Sequence, residues 1–328
     1  MKEDAGKMKK IVVMHRASIG DMLLATPVYR EIKNTYPHAQ LVLVTSYAGK
    51  ELMQGNPYID HMMAYEKGDS WLRIVKAIWR ADAAIILDHH YRNALFAFLA
   101  MIPKRIGRGK DFVNVHVEPR EETKPIYEPM NHLRLAEFVG VYGKDTSLEP
   151  LCPSEQERKH VRNILRENLV ESGKLVLMAP YSLDSLKDWE PAKYRETAER
   201  LQEKGCAVAI IGGKENRQRA EQDFPGIVNL VGLTNLRETY WLISESDLLL
   251  CGCTSVLHIC ATTDTHAVAI YGPSSPASWA PRKNCTVVSR EFPCSPCHNI
   301  KFPPCNDNQC IKKISVDEVL EQVTRQIQ

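Results

Sequence analysis

The chain has 328 residues, 44% hydrophobic and 25% charged, and Lys+Arg 42 against Asp+Glu 40 leaves a formal net charge of +2. These are values of a globular protein, and they exclude a strongly cationic nucleic-acid binder. No apolar run is long enough to span a membrane, and the charged amino terminus, MKEDAGKMKK, has no apolar secretion core; a cytoplasmic protein is expected.

The length exceeds one average core and predicts two domains. Lys9–Lys10 lead into Ile11–Met14, a short run that reads as a buried strand. His15–Gly20 forms a polar loop, and helical spacing begins at Asp21 and continues to Ile32. Gln40–Thr45 is a second strand and His61–Tyr65 a short one. Trp71–Arg80 has helical spacing, with Leu72, Val75, Ile78 and Trp79 expected on the buried face. Ala83–Asp88 is a strand and Asn93–Met101 a helix. Lys104 to Lys110 is a basic knot, read as a solvated loop or an anion site, and His132–Tyr142 reads as a helix closing this half. Strands alternating with helices predict a parallel sheet covered on both faces.

Polar, turn-rich sequence from Gly143 to Gly173 marks the boundary. We expect domains at 1–150 and 151–328. A charged helix over Glu155–Glu171 precedes a second alternation. Its strands are Leu175–Pro180, Ala207–Gly213, Ile227–Gly232, Asp247–Cys251 and Ala267–Gly272. Its helices are Ala192–Lys204, Asn216–Gln222, Leu236–Glu245, Ser255–Thr262 and Val316–Ile327.

Ligands in such folds sit beyond the carboxyl ends of the strands, so the polar residues there are the site candidates. Asp21, just after Gly20 at a helix start, either caps the helix or serves as an ionised base. Ser182 and Lys187 follow the first strand of the second half; Lys187 is a phosphate-binding cation or a surface lysine. Glu215 follows Gly212–Gly213, where backbone can approach a ligand and an acid can meet a ribose hydroxyl. Thr254 and Ser255 put two hydroxyls at a helix start, with His258 beyond them. Lys104, Arg105 and Arg108 are the candidates for an anion in the basic knot, and for acceptor phosphates if the family resemblance described below holds. No G-x-G-x-x-G follows the first strand, which disfavours a dinucleotide oxidoreductase.

Of ten cysteines, six (Cys152, Cys206, Cys251, Cys253, Cys260, Cys285) are scattered, mostly in apolar runs, as reduced thiols are. Cys294, Cys297, Cys305 and Cys310 form C-x2-C-x7-C-x4-C, which suits a structural zinc, with an iron–sulfur cluster as the second metal reading and reduced thiols or a disulfide-linked loop as the plain one.

The chain resembles glycosyltransferase family 9, the bacterial ADP-heptose:lipopolysaccharide heptosyltransferases. The resemblance covers nearly the whole length. It rests on Arg16-Ala17-Ser18-Ile19-Gly20-Asp21-Met22-Leu23 with Pro27, on Lys187-x-Trp189, and on Gly212-Gly213. It continues through Val231-Gly232-Leu233-Thr234-Asn235-Leu236, Thr254, His258 and Ile270-Tyr271-Gly272-Pro273-Ser274-Ser275-Pro276. It implies an α/β fold of GT-B architecture, two Rossmann-like domains facing across a cleft, the first for the acceptor and the second for the nucleotide-sugar donor. It implies inverting transfer of a heptose from a nucleoside-diphosphate sugar to a lipid-linked or core oligosaccharide, with no cofactor for transfer and peripheral contact with the inner membrane. The family's base falls on Asp21 and its donor contacts on Ser182, Lys187, Glu215, Thr254 and His258. Cysteine-rich tails like segment 294–310 are common in that family. The chain departs from the pattern at Cys253-Thr254-Ser255, where the family usually has Asp-Ser/Thr-Gly. That departure carries the alternative, a non-catalytic or divergent binder of nucleotide sugars or glycans on the same scaffold.

Overall fold

The computed structural model describes residues 8–109, 111–117, 125–168, 173–297 and 307–327. The chain divides into two units, Met1–Cys152 and Pro153–Gln328.

In the first unit, strands β1 (Lys10–Met14), β2 (Gln40–Thr45), β3 (His61–Ala64), β4 (Ala83–Ile86), β5 (Lys104–Gly107) and β6 (Val115–His116) alternate with α1 (Ile19–Leu24), α2 (Thr26–Thr35), α3 (Tyr47–Leu52), α4 (Trp71–Ala77), α5 (Tyr91–Leu99) and α6 (Glu128–Glu137). Every strand pair is parallel, in the order β3-β2-β1-β4-β5-β6. Ile11 to Met14 is fully buried, as a continuous apolar run must be when helices cover both faces of a sheet. The helical run after Gly20 is broken in two. Ser18 caps α1, and Pro27 in the first turn of α2 lacks the N–H needed to continue α1.

The second unit repeats the scheme. Strands β7 (Leu175–Ala179), β8 (Ala207–Ile210), β9 (Val228–Asn229), β10 (Leu248–Gly252), β11 (His266–Tyr271) and β12 (Cys285–Ser289) form an all-parallel sheet in the order β12-β11-β10-β7-β8-β9. Its helices are α7 (Glu155–Asn168), α8 (Pro191–Glu203), α9 (Arg217–Asp223), α10 (Leu236–Ser244), α11 (Ser255–Cys260), α12 (Pro276–Trp279), α13 (Gln309–Lys312) and α14 (Val316–Ile327). Trp189 anchors this core: it is fully buried, stacks edge to face on Tyr194 at 5.1 Å, and donates from Nε1 to Ile314 O at 3.0 Å. Truncating such a residue to Ala costs about 3–5 kcal/mol.

In both sheets the strand order reverses between the first strand and the fourth, at β1/β4 and at β7/β10. In folds of this kind ligands bind at that point, outside the carboxyl ends of the strands.

Several elements differ from expectation. The run from Lys104 is not a loop; Lys104–Gly107 is strand β5, paired on both sides. The helix expected over His132–Tyr142 starts at Glu128, with Pro129 in its first turn. Strand β12 was not expected at all. On α4 the buried residues are Ile74 and Val75, while Leu72 and Trp79 stand exposed.

Candidate active site

At the β1/β4 switch point of the first unit, Asp21 is the third residue of α1. Ser18, not Asp21, is the cap. The Ser18 hydroxyl accepts the Asp21 N–H at 3.4 Å and donates to Asp21 Oδ2 at 2.8 Å, leaving the other carboxylate oxygen uncommitted by that bond. Beside Asp21 lies a group that local sequence did not announce. His15 leaves β1 with its N–H bonded to Val44 O at 2.9 Å, and its buried ring meets that of His132 edge to face at 5.3 Å. His132 Nδ1 is 3.4 Å from Leu24 O, and its Nε2 is 3.4 Å from Glu128, which also pairs with Arg108 at 3.3 Å. Burial holds both imidazoles below the usual histidine pKa. The mutual approach of the rings and the Arg108 charge add to this at His15; at His132, Glu128 and Asp21 pull the other way. Both histidines are therefore neutral at pH 7.

The neighbouring strand end is tied down by Asp88, buried after β4. Its carboxylate accepts from the Arg16 N–H at 2.6 Å, the His90 N–H at 3.0 Å and Asn93 Nδ2 at 2.7 Å. Tyr65 donates to Asn93 Oδ1 at 2.6 Å, and Arg16 stacks on Tyr65 and pairs with Glu66. The three basic candidates separate. Arg108 follows β5 at its carboxyl end and joins the His132–Glu128 group. Lys104 and Arg105 begin β5, roughly 10 Å away along the strand. Arg105 is occupied by the carbonyls of Ile102 and Phe112, at 2.6 and 2.7 Å.

In the second unit the candidates lie on three adjacent strand ends, β8, β7 and β10. After β7, Ser182 Oγ is 2.6 Å from both Asp188 Oδ1 and Asp184 O, so this hydroxyl shapes its own loop. Lys187 closes a 3-10 turn, Ser185–Lys187, that is pinned from the tail by Asn308 Nδ2 on Leu186 O at 2.9 Å. A Cβ at Gly252 would come within 3.3 Å of Lys187 O, so glycine at the end of β10 lets this turn lie close. After β10, Thr254 precedes α11 in extended conformation but makes no capping bond, and Thr254 Oγ1 is buried without a partner among the described residues. His258 is buried four residues on. Burial, then the Lys187 charge, bring its pKa down to about 4, and its Nδ1 has no partner among the described residues. Ser255 is the first residue of α11. Glu215 is exposed after β8, its carboxylate folded over Gly213 where a Cβ would not fit. On the next strand end, Ser274 Oγ and Trp279 Nε1 are likewise buried and unpartnered. Buried polar atoms without partners are rare and cost about 1–3 kcal/mol each. Four of them follow the adjacent strands β10 and β11 at the carboxyl end of the sheet, with the Lys187 charge acting on His258, which is where a polar ligand would be held.

A model of glycosyltransferase family 9 (heptosyltransferase) matches residues 71–303. The chain belongs to glycosyltransferase family 9. Its two doubly wound parallel sheets are the α/β, GT-B fold class of this family, and it is a glycosyltransferase. It is 25% identical over 291 residues to the lipopolysaccharide heptosyltransferase 2 of Salmonella typhimurium, covering 81% of this chain and 84% of that protein. Among solved structures it is similar to a family 9 glycosyltransferase of Veillonella parvula (TM-score 0.83, 18% identity, 99% and 98% of the two chains). It is also similar to the ADP-heptose LPS heptosyltransferase II of E. coli (TM-score 0.79, 22% identity, 97% and 98%).

Where family 9 usually carries an acid before Thr254, Cys253 lies against the hydroxyl of Tyr271. Of the tail cysteines, Cys305 lies outside the described residues. Cys297 and Cys310 are buried on one turn: the Cys297 N–H donates to Pro273 O at 2.8 Å, and Cys310 Sγ would be 3.2 Å from a Cβ at Gly272. Cys294 is exposed, and the described residues alone form no three-ligand metal group. Of the scattered thiols, Cys251 and Cys260 are buried as expected, whereas Cys152 is exposed. No helix among the described residues is long and apolar enough to cross a membrane.

Proposed function

We propose that this protein transfers a heptose from ADP-heptose to a lipopolysaccharide-core or related glycan acceptor at the cytoplasmic face of the inner membrane, with inversion at the anomeric carbon. The observation that supports it best is the pair of buried polar atoms without partners among the described residues, Thr254 Oγ1 and His258 Nδ1, after β10 at the β7/β10 switch point, with the Lys187 charge acting on His258. A nucleoside diphosphate supplies what they lack: phosphate oxygens for Thr254 and Lys187, and further acceptors for the other donors. Asp21 takes the proton of the acceptor hydroxyl. The acceptor oxygen then forms its bond to the anomeric carbon as the bond to the diphosphate breaks, and Lys187 and Thr254 steady the charge on the departing ADP. Arg108, held beside His132 and Glu128, is the cation assigned to the acceptor. Neutral His258 acts as a hydrogen-bonding partner rather than a charge. Glu215 and Ser255 border the donor, and Ser182 orders the loop that carries Lys187.

Cys253, in place of the family acid, bears on the sugar end of the donor: a thiol beside Tyr271 offers a weaker acceptor for sugar hydroxyls than a carboxylate does. For the tail, we propose a structural metal, zinc by ligand type, held by Cys297 and Cys310 with Cys294 and Cys305 completing the thiolate set. It takes no part in the transfer.

The test is ADP release, followed by mass spectrometry, when the purified protein meets a panel of nucleotide sugars with and without a deacylated core acceptor. Acceptor-dependent release of ADP from ADP-heptose is expected. Binding without turnover for every donor would make the protein a binder on this scaffold, and turnover with a different nucleotide sugar would move the assignment to that donor.

A further inference from the structure

Asn308 stands at the start of α13, where an asparagine ordinarily caps its own helix, yet its side chain makes no capping bond. The side chain, 8% exposed, instead donates from Nδ2 to Leu186 O at 2.9 Å, across 122 residues of sequence. Leu186 is the middle residue of the 3-10 turn Ser185–Lys187.

The helix that carries Asn308 is itself firmly seated. Ile311 is fully buried, and a Cβ on Gly272 would come within 2.8 Å of Ile311 Cβ, so α13 lies directly on the turn after β11. The same turn receives Ser295 Oγ on Gly272 O at 2.5 Å and the Cys297 N–H on Pro273 O at 2.8 Å. Beyond α13, Ile314 O accepts from Trp189 Nε1 at 3.0 Å and from Lys193 Nζ at 3.2 Å. In the sheet, β11 and β7 flank β10. Helix α13 thus rests on the turn after one neighbour of β10 and reaches, through Asn308, the turn after the other.

The tail does not need Asn308 for its own attachment, since Ile311 and Ile314 already hold it. What the bond fixes is the turn. Local contacts give that turn its shape: Asp184 Oδ1 accepts the Leu186 N–H at 3.1 Å, and Asp188 Oδ1 accepts the Ser182 hydroxyl at 2.6 Å and its N–H at 2.9 Å. Gly252 lets the turn approach β10, because a Cβ there would stand 3.3 Å from Lys187 O. Asn308 then ties it from outside to a helix packed on the same end of the sheet. A lysine on a turn held in place gives up less conformational freedom on meeting an anion than one on a loose loop.

We propose that Asn308 is a positioning residue for Lys187: by fixing the Ser185–Lys187 turn it holds the ammonium ready for the diphosphate of the donor. This role rests on the reading of Lys187 as a diphosphate contact. The test is calorimetric binding of ADP to the full chain in a double-mutant cycle. Lys187→Met should weaken ADP binding about tenfold or more, as loss of a hydrogen bond to a charged group does. Asn308→Leu, similar in size but without a donor, should weaken it about fivefold, the worth of one ordinary hydrogen bond, and by less than about twofold when Lys187 is already Met. Beside Thr254→Val, which acts at a different strand end, Asn308→Leu should keep its full effect. Should the leucine variant fail to fold, Asn308→Ala makes the same comparison. Unchanged affinity for the Asn308 variant, or an equal loss with and without the lysine, overturns the proposal and leaves Asn308 as a fastening for the tail. A loss that also vanishes beside Thr254→Val overturns it by making the effect a general collapse of the site. Unchanged affinity for Lys187→Met overturns it together with the donor reading of the lysine.

Discussion

The imidazoles of His15 and His132 meet edge to face, ring centroids 5.3 Å apart, with both rings buried beside Asp21. Two imidazoles in that position resist protonation: charge on one raises the cost of charge on the other, and neither can reach water. The second unit has its own example in His258, buried near Lys187.

These three histidines predict how stability depends on pH. Their folded-state pKa values lie below the unfolded value near 6.5, so the stability they contribute is complete above that pH and is lost as the pH falls. For His258 the loss is finished near pH 4 and amounts to roughly 3 kcal/mol. Glu157, held down to about 2 by Arg237, loses its contribution only below the ordinary glutamate pKa. Asp88 and Asp188, raised by burial, act in the opposite sense. Denaturant titrations at pH 7, 6 and 5 on the wild type and His258→Gln should therefore show a smaller loss in the variant. Identical slopes would mean that folding leaves the proton affinity of His258 unchanged.

The unpartnered hydroxyl of Thr254 predicts a division between stability and binding. Thr254→Val keeps the shape and removes a buried hydroxyl that has no partner among the described residues. The unliganded melting temperature should hold or rise, since deleting an unsatisfied polar atom removes its desolvation cost. Affinity for ADP should fall about tenfold, the value of one hydrogen bond to a charged group. Calorimetry measures both. A destabilised variant with unchanged ADP affinity would make Thr254 a structural residue.

The tail predicts a metal count. Elemental analysis of the purified chain should find about one zinc or iron per chain, and Cys297→Ser should remove it and lower the melting temperature. Cys297 is the informative thiol because it is buried against the Pro273 carbonyl, on the same turn as Cys310. No metal in the wild type would leave reduced thiols as the reading.

What could be read in advance follows the range of the interactions. Ile11–Met14 and Leu248–Cys251 announce buried strands because each is a local apolar run, and a strand end followed by glycine and an acid announces a loop that faces ligand. Asp88 and His132 could not be read that way. Asp88 matters because the parallel pairing of β1 and β4 brings it to the Arg16 N–H, 72 residues distant, and His132 because α6 delivers it to Leu24. The α4 face was ambiguous for a physical reason. Residues 71, 74, 75 and 78 and residues 72, 75 and 79 both make helical stripes, and burial selects the first pattern in its Ile74, Val75 and Ile78 members. The helix also ends at Ala77 and Arg80 turns left-handed, so helical spacing no longer governs Trp79. β5 was hidden because its first two residues are charged, and only pairing with β4 and β6 makes it a strand.

Asp21 gives the prediction closest to the chemistry. It lies third in α1, bonded through Oδ2 to the hydroxyl of the residue that caps the helix. Asn at this position can still accept from Ser18 through its carbonyl oxygen, so α1 keeps its first turn, and the lost charge near the helix start should cost only about 0.3–1 kcal/mol. What Asn cannot do is take a proton. If the Asp21 carboxylate deprotonates the acceptor hydroxyl, Asp21→Asn should lower kcat by about 10²–10⁴-fold with donor affinity nearly unchanged, because the lost interaction belongs to the transition state. Asp21→Glu extends the carboxylate by one methylene and keeps the basicity; partial recovery of rate in that variant would separate loss of a base from loss of position. The measurement is ADP release at saturating donor and acceptor, with the melting temperature of each variant recorded alongside. A kcat for Asp21→Asn within a few-fold of the wild type would remove Asp21 from the proton transfer and leave its carboxylate as part of the helix start, since His15 and His132 are too deeply buried to take its place.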